Sequence, residues 1–171
     1  MAKLSNEILL SEKEIKARVE ELAKQISKDF AGNQLTIVGI LKGSFIFVAD
    51  LMRHLSGPVT CDFIRVKMTD NQHEIPRELS YTTPFEPEGK HILVVEDILD
   101  TGITLDYMLN QLKARKPASL KVCVLLDKTE ARKIEIHADY TGFQIPNKYV
   151  VGYGLDYGER YRELPYITWV E

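Results

Sequence analysis

One run constrains this chain more than any other: Ile92-Leu-Val-Val95, apolar without a break, followed at once by Glu96-Asp97 and then by Asp100-Thr-Gly-Ile-Thr104. A strand that is apolar at successive positions is covered on both faces, as in a parallel sheet with helices on either side. Acids and small hydroxyl residues stand at its carboxyl end and open a helical pattern. That edge is where open α/β sheets hold ligands.

The remaining pattern agrees with such a sheet. Ser11 and Glu14 have the spacing of a capping box, and Ile15, Val19, Leu22, Ile26 and Phe30 follow at helical intervals, ending near Gly32. Leu35 to Leu41 reads as a strand, Phe45 to Leu55 as a helix, and Gly57-Pro58 as a turn. In the strand from Val59 to Met68, Arg65 and Lys67 alternate with apolar residues, which gives it one wet or ligand-facing side. Thr69 to Lys90 has no clear period and carries Pro76, Pro84, Pro87 and Gly89. An irregular segment of that length in a compact domain reads as a lid or a disordered loop. Leu105, Met108, Leu109 and Leu112 mark a helix that stops before Pro117. Leu120 to Leu126 is a further buried strand, Glu130 to Pro146 an irregular segment, Tyr149 to Leu155 a strand and Ile167 to Val170 a last short one. Strands alternating with helices predict an α/β fold with a mainly parallel sheet flanked by helices.

The ends of the strands share a character. They carry Lys42-Gly43, Glu96-Asp97 with Asp100, Asp127-Lys128, and Asp156. In one parallel sheet these would lie on one edge and converge on one ligand; the plain alternative is that strands exit to water through charged residues. Thr101, Gly102, Ile103 and Thr104 occupy a strand-to-helix turn. The first amides of a helix lack internal partners and sit at the positive end of its dipole, so this turn suits a phosphate. It has neither the P-loop nor the Gly-x-Gly-x-x-Gly pattern. Glu96 and Asp97 accept hydrogen bonds only, which suits sugar hydroxyls, directly or through a cation such as Mg²⁺.

Length and composition exclude several classes. The 171 residues suit a single domain, here 1–171, that buries a core without staples. With 44% hydrophobic and 27% charged residues the chain is globular in type. A net charge of -3 speaks against a nucleic-acid partner. No apolar run reaches the roughly 20 residues of a membrane span, and no signal peptide is visible. Cys61 and Cys123 lie in strand-like runs and read as buried thiols of a reducing, cytoplasmic setting. The four histidines have no ligand spacing, so zinc is not expected.

The stretch from Val94 to Thr104 resembles the phosphoribosyl pyrophosphate motif of the type I phosphoribosyltransferases, and the chain is most similar to the hypoxanthine/guanine members. The likeness extends to Leu41-Lys-Gly-Ser44, Leu79-Ser-Tyr81, Leu126-Asp-Lys128 and Val150-Val-Gly-Tyr-Gly-Leu-Asp156. It implies the type I fold with a small hood from the terminal segments and a lid at about 69–90 carrying Ser80 and Tyr81. It implies that Glu96 and Asp97 hold the ribose hydroxyls and Mg²⁺, that Asp100 is the general base or acid facing N7 of the purine, and that Thr101, Gly102, Ile103 and Thr104, with Asp100, hold the ribose 5′-phosphate. Lys42 and Gly43, joined by a peptide often cis in the family, would meet pyrophosphate together with Arg162. Lys128 would donate to the 6-oxo group, Tyr149 would stack on the purine, Val150 would meet its edge and Asp156 would carry a second Mg²⁺. Ile103 departs from members that have lysine there. Without the resemblance, Tyr149 reads as core, Lys128 and Arg162 as solvated charges, and Asp156 as a strand-exit acid.

The function implied is transfer of the 5-phosphoribosyl group from phosphoribosyl pyrophosphate to N9 of hypoxanthine or guanine, giving IMP or GMP and pyrophosphate in purine salvage. A homodimer or homotetramer is the implied assembly. Two alternatives stand beside it. One is a nucleic-acid-binding regulator that senses phosphoribosyl pyrophosphate, which the negative charge and the retained base-side residues disfavour. The other is a transferase for xanthine or uracil.

Overall fold

The computed structural model describes residues 3–69 and 75–171. Three helices are described: α1 (Glu12–Asp29), α2 (Phe45–His54) and α3 (Ile103–Lys113). Six strands form the main sheet: β1 (Leu35–Ile40), β2 (Val59–Thr69), β3 (Ile75–Tyr81), β4 (His91–Leu99), β5 (Ser119–Asp127) and β6 (Tyr140–Gln144). Their order is β3-β2-β1-β4-β5-β6. Among the described residues of this sheet, only the β2–β3 pair is antiparallel. The fold is therefore α/β with a mainly parallel sheet, as the apolar run of β4 predicts.

Successive residues of a strand face opposite sides, and both sides here are covered. Leu93 and Val95 of β4 join Ile37, Cys123 and Leu125 in a core closed by α1 and α2. Ile92 and Val94 join Val38, Ile40, Val122 and Val124 in a second core closed by Leu105, Met108, Leu109 and Leu112 of α3. The α1 start is the predicted capping box: Glu14 N donates to Ser11 Oγ at 3.3 Å, and Ser11 N donates to Glu14 Oε2 at 2.8 Å.

Three expectations need correction. The segment 69–90 is not structureless, because β3 lies inside it; residues 70–74 fall outside the described residues. Pro76 hid this strand. It is tolerated because β3 is an edge strand, where a missing N–H breaks no inner ladder. The segment 130–146 likewise contains β6, whose Gly142 lies so close to the Leu125 carbonyl that a Cβ would collide with it. The strand expected over 149–155 shrinks to β7 (Val150–Val151), and it does not join the parallel sheet. β7 pairs instead with β8 (Thr168–Trp169). Gly152 and Gly154, at φ +103° and +102°, turn the chain sharply after β7. The amino-terminal segment completes this small sheet through bridges from Leu4 to Val170 and from Leu10 to Ile167. The terminal segments thus form the expected hood.

Candidate functional site

The carboxyl ends of β1, β4 and β5 and the turn after β7 surround a cavity of about 410 Å³. Lys42, Gly43, Asp97, Asp100, Lys128, Tyr149, Val150, Asp156 and Arg162, all singled out from the sequence, line it. Arg65, Val66, Ile98, Leu155 and Glu159 line it as well and were not among the expected site residues. For Arg65 a signal existed, since alternation in β2 marks a wet side; Glu159 has none in its spacing.

The turn after β1 forms the cavity's most constrained wall. The cis peptide is Leu41–Lys42, one bond before the Lys42–Gly43 bond named from the sequence. Ser44, fully buried, donates to the Ile40 carbonyl at 2.6 Å and pins the turn to the strand end. Gly43 lies directly against the Asp97 carboxylate, where a Cβ would overlap Oδ2, and the Gly43 carbonyl fills the space a Cβ on Gly154 would need. Two glycines from distant segments therefore let the backbone close around one carboxylate.

Charges are distributed unevenly. Lys42 Nζ lies 2.8 Å from Glu159 Oε2, and Arg162 Nη2 lies 3.3 Å from the same oxygen and 2.8 Å from Asp156 Oδ1. These two cations hold the Glu159 carboxyl below its usual range through hydrogen bonds. Burial raises the Asp97 carboxyl to about 6, against hydrogen bonds from backbone amides and the nearby Arg162 that lower it. Burial, and then the charge of Asp97, push Glu96 well above the normal carboxylate range. Lys128 is 6% exposed and its ammonium lies 3.3 Å from Asp100 Oδ2. Tyr149 is 56% exposed, so the core reading of this strand aromatic does not hold. Its ring meets that of Tyr157 edge-on at 5.4 Å and borders the cavity.

Other expected residues stand apart from the cavity wall. Glu96 is in β4 but not in the lining. Thr101, Gly102, Ile103 and Thr104 follow Asp100 and open α3; Gly102, at φ +86°, is its N-cap and no side chain caps the helix. Its first amides are thus available to an anion apart from a long contact, 3.4 Å, from Ile103 N to Thr101 Oγ1. Ser80 and Tyr81 lie on β3, paired with Arg65 and Ile64, and are not in the lining. The Tyr81 ring packs on Phe85 with the Arg115 guanidinium over it. Among the described residues no three His, Cys, Asp or Glu side chains converge as a ready-made metal cage, and no helix is long and apolar enough to cross a membrane.

A family model for the phosphoribosyl transferase domain matches residues 5–158. The hypoxanthine phosphoribosyltransferase of Haemophilus influenzae is 42% identical over 175 residues, which cover 98% of this chain and 96% of the relative. The hypoxanthine-guanine phosphoribosyltransferase of Streptococcus pneumoniae is 46% identical over 164 residues, 94% of this chain and 90% of the relative. A crystal structure of a hypoxanthine-guanine phosphoribosyltransferase from Bacillus anthracis, with a HEPES molecule in its active site, superposes with a TM-score of 0.92 at 43% identity, covering 99% of this chain and all of that one.

Proposed function

The chain belongs to the phosphoribosyltransferase family, among its hypoxanthine and guanine members, and from that premise we propose that it transfers a 5-phosphoribosyl group from phosphoribosyl pyrophosphate to N9 of hypoxanthine or guanine, releasing pyrophosphate. The observation that carries this reading is the buried Lys128 ammonium beside Asp100, in one cavity with the exposed ring of Tyr149.

The base side follows from that pair. An ammonium has three donors and no acceptor. One donor serves Asp100, and the others are left for a carbonyl at position 6 of the base. An exocyclic amine there would face donor with donor, so adenine is disfavoured. Tyr149 stacks on the ring, and the Val150 backbone meets its edge. Asp100, about half exposed into the cavity, is the proton acceptor. As N9 bonds to C1 of the ribose and the bond from C1 to the pyrophosphate oxygen breaks, the proton on N7 passes to Asp100, and the electron pair leaves with pyrophosphate.

The donor side uses other residues of the same cavity. Lys42, Gly43 and Arg162 receive pyrophosphate, whose growing charge two fixed cations stabilise. Glu96 and Asp97 hold the ribose hydroxyls, and the turn from Thr101 to Thr104 holds the 5′-phosphate. Lysine at 103 is not needed where that position offers its backbone amide. Asp97 and Asp156 fit Mg²⁺, which is commonly bound by one or two carboxylates and completed by substrate oxygens and water. Bound there, Mg²⁺ would neutralise charge on the departing pyrophosphate. Glu96, next to Asp97 in β4, is the further carboxylate assigned to the ribose and Mg²⁺. Ser80 and Tyr81, on β3, belong to the lid that excludes water.

We read the chain as one domain over 1–171, cytoplasmic and self-associating as a dimer or tetramer. The unpaired thiols of Cys61 and Cys123 support the reducing compartment. One assay tests the function. Purified protein with Mg²⁺ and phosphoribosyl pyrophosphate is offered hypoxanthine, guanine, xanthine, adenine and uracil separately. Nucleotide formation with hypoxanthine or guanine is expected. Turnover of none would sink the reading, and turnover of uracil alone would replace it.

A further inference from the structure

Asp100 is held at both ends by residues four positions apart in one turn. Lys128 takes its carboxylate, as described. Arg132, at the other end of a short 3-10 turn over Thr129–Ala131, takes its main chain: Nε donates to the Asp100 carbonyl at 3.1 Å. The same guanidinium donates through Nη1 to the Ile136 carbonyl at 2.6 Å and through Nη2 to the Asp127 carboxylate. Arg132 and Asp127 side chains are 14% and 13% exposed. Arg132 does not line the cavity that receives substrate; it lines a separate one of about 330 Å³.

The segment after Arg132 continues the same contact. Lys133 N and Ile134 N both donate to the Thr101 carbonyl, at 3.0 and 3.3 Å. A Cβ on Gly102 would collide with Ile136 and press on Arg132 Cδ. On the other side, Lys128 N donates to the Leu99 carbonyl at 3.0 Å. The carbonyls of Leu99, Asp100 and Thr101 are thus taken in order by Lys128, Arg132 and the Lys133–Ile134 amides. Only the middle one depends on a side chain.

We propose that Arg132 is a positioning residue for the transfer: by holding the Asp100 carbonyl, with Asp127 as its anchor, it fixes the direction of the Asp100 carboxylate and the approach to the phosphate-binding turn. Its three acceptors belong to three different places, and the planar five-donor fork of arginine reaches all of them at once. Lysine keeps the charge and the stem but offers a point donor. A displacement of about 1 Å at a reacting group can cost about 10²-fold in rate. Arg132 lies outside the cavity lining, so its effect passes through Asp100 and falls on kcat more than on the KM for the base.

This role rests on the proposed transferase activity, and the test separates the two. Steady-state kinetics are measured on the unaltered protein, Arg132→Met, Arg132→Lys, Asp100→Asn and the double variant Asp100→Asn/Arg132→Met, each with a melting curve and rates expressed per folded molecule. Expected are a fall in kcat of about tenfold or more for R132M, a smaller fall for R132K with the base KM within about twofold, and a double variant within about threefold of D100N alone. A merely structural role would lower the melting temperature, leave kcat per folded molecule unchanged and give multiplicative effects in the double variant; any of these kinetic results overturns the proposal. If R132M does not fold, R132K and Asp127→Asn decide: an unchanged kcat in both overturns it, and a lowered kcat with the base KM retained supports it. No turnover by the unaltered protein would overturn the transferase reading itself, and this role with it.

Discussion

The Lys128 ammonium lies 3.3 Å from Asp100 Oδ2, with the lysine buried and the carboxylate about half exposed. The two groups come from the ends of neighbouring parallel strands, β5 and β4, and the register Leu99↔Asp127 brings them side by side. A pair so placed sets the Asp100 carboxylate and the Lys128 donors side by side at the cavity where the base arrives. Asp100→Asn removes the proton acceptor and preserves the shape. The expected result is a kcat lower by about 10²–10⁴-fold with a smaller change in KM. Initial rates with hypoxanthine at saturating donor check it, and an unchanged kcat removes the acid–base role.

Lys128→Met tests the other partner and a different quantity. It deletes the donors assigned to the 6-oxo group while keeping the length and apolar character of the stem. A hydrogen bond from a charged donor contributes about 1.5–3 kcal/mol, so kcat/KM for hypoxanthine is expected to fall by about 10- to 150-fold. The ratio of hypoxanthine to adenine turnover is the sharper readout, because an adenine amine gains nothing from Lys128. A ratio that stays constant would detach Lys128 from base selection.

Much of this site was legible because its signals are local. Ile92–Val95 marks a strand covered on both faces, and Ser11 with Glu14 marks a helix start; each needs only neighbours in sequence. What escaped depends on partners far along the chain. Pro76 breaks the pattern of β3, yet pairing with β2 at a sheet edge overrides it. Val150–Val151 looks like one more parallel strand, and only its pairing with Thr168–Trp169 assigns it to the hood. Asp156 nevertheless reaches the same cavity, because the glycine turn folds back on Gly43. Glu159 and Arg132 carry charges that look solvated in sequence and are fixed by ion pairs visible only in three dimensions.

Gly43→Ala asks whether the close approach of the first turn matters. The added methyl would overlap the Asp97 carboxylate, and Gly154, which touches the Gly43 carbonyl, leaves little room for the turn to retreat. Asp97 would be pushed from its hydrogen bond with Ile98 N, now 2.9 Å. The expected outcome is a KM for phosphoribosyl pyrophosphate raised about tenfold or more, with the KM for the base changed little, since the added methyl meets Asp97 and neither Lys128 nor Tyr149. Overpacking of this kind commonly costs about 1–3 kcal/mol of stability, so the melting temperature should fall too. Equal donor KM values for the two proteins would show that the wall yields.

The pH dependence of stability gives the last test. Asp97 titrates near 6 when folded, against 3.8 in the unfolded chain, because burial disfavours its charge. A carboxyl raised in this way binds its proton more tightly in the folded state. Its stabilising contribution is complete below about pH 3.8 and is lost as pH rises through about 6. A shift of about two units corresponds to about 3 kcal/mol between those limits. Glu96 shifts in the same direction, and Glu14, Asp29 and Glu159 shift in the other, so the total curve mixes signs. Asp97→Asn isolates the group: it keeps an oxygen to accept from Ile98 N and has no charge to bury. Without divalent cations, the variant is expected to melt higher than the unaltered protein at pH 7.5, by several degrees, with the difference shrinking towards pH 4. Mg²⁺ selects the ionised carboxylate, so adding it should raise the melting temperature of the unaltered protein at pH 7.5 and leave the variant nearly where it was. Melting curves at the two pH values, with and without Mg²⁺, measure all of this, and a variant that melts lower at pH 7.5 would mean that the charge of Asp97 stabilises the fold.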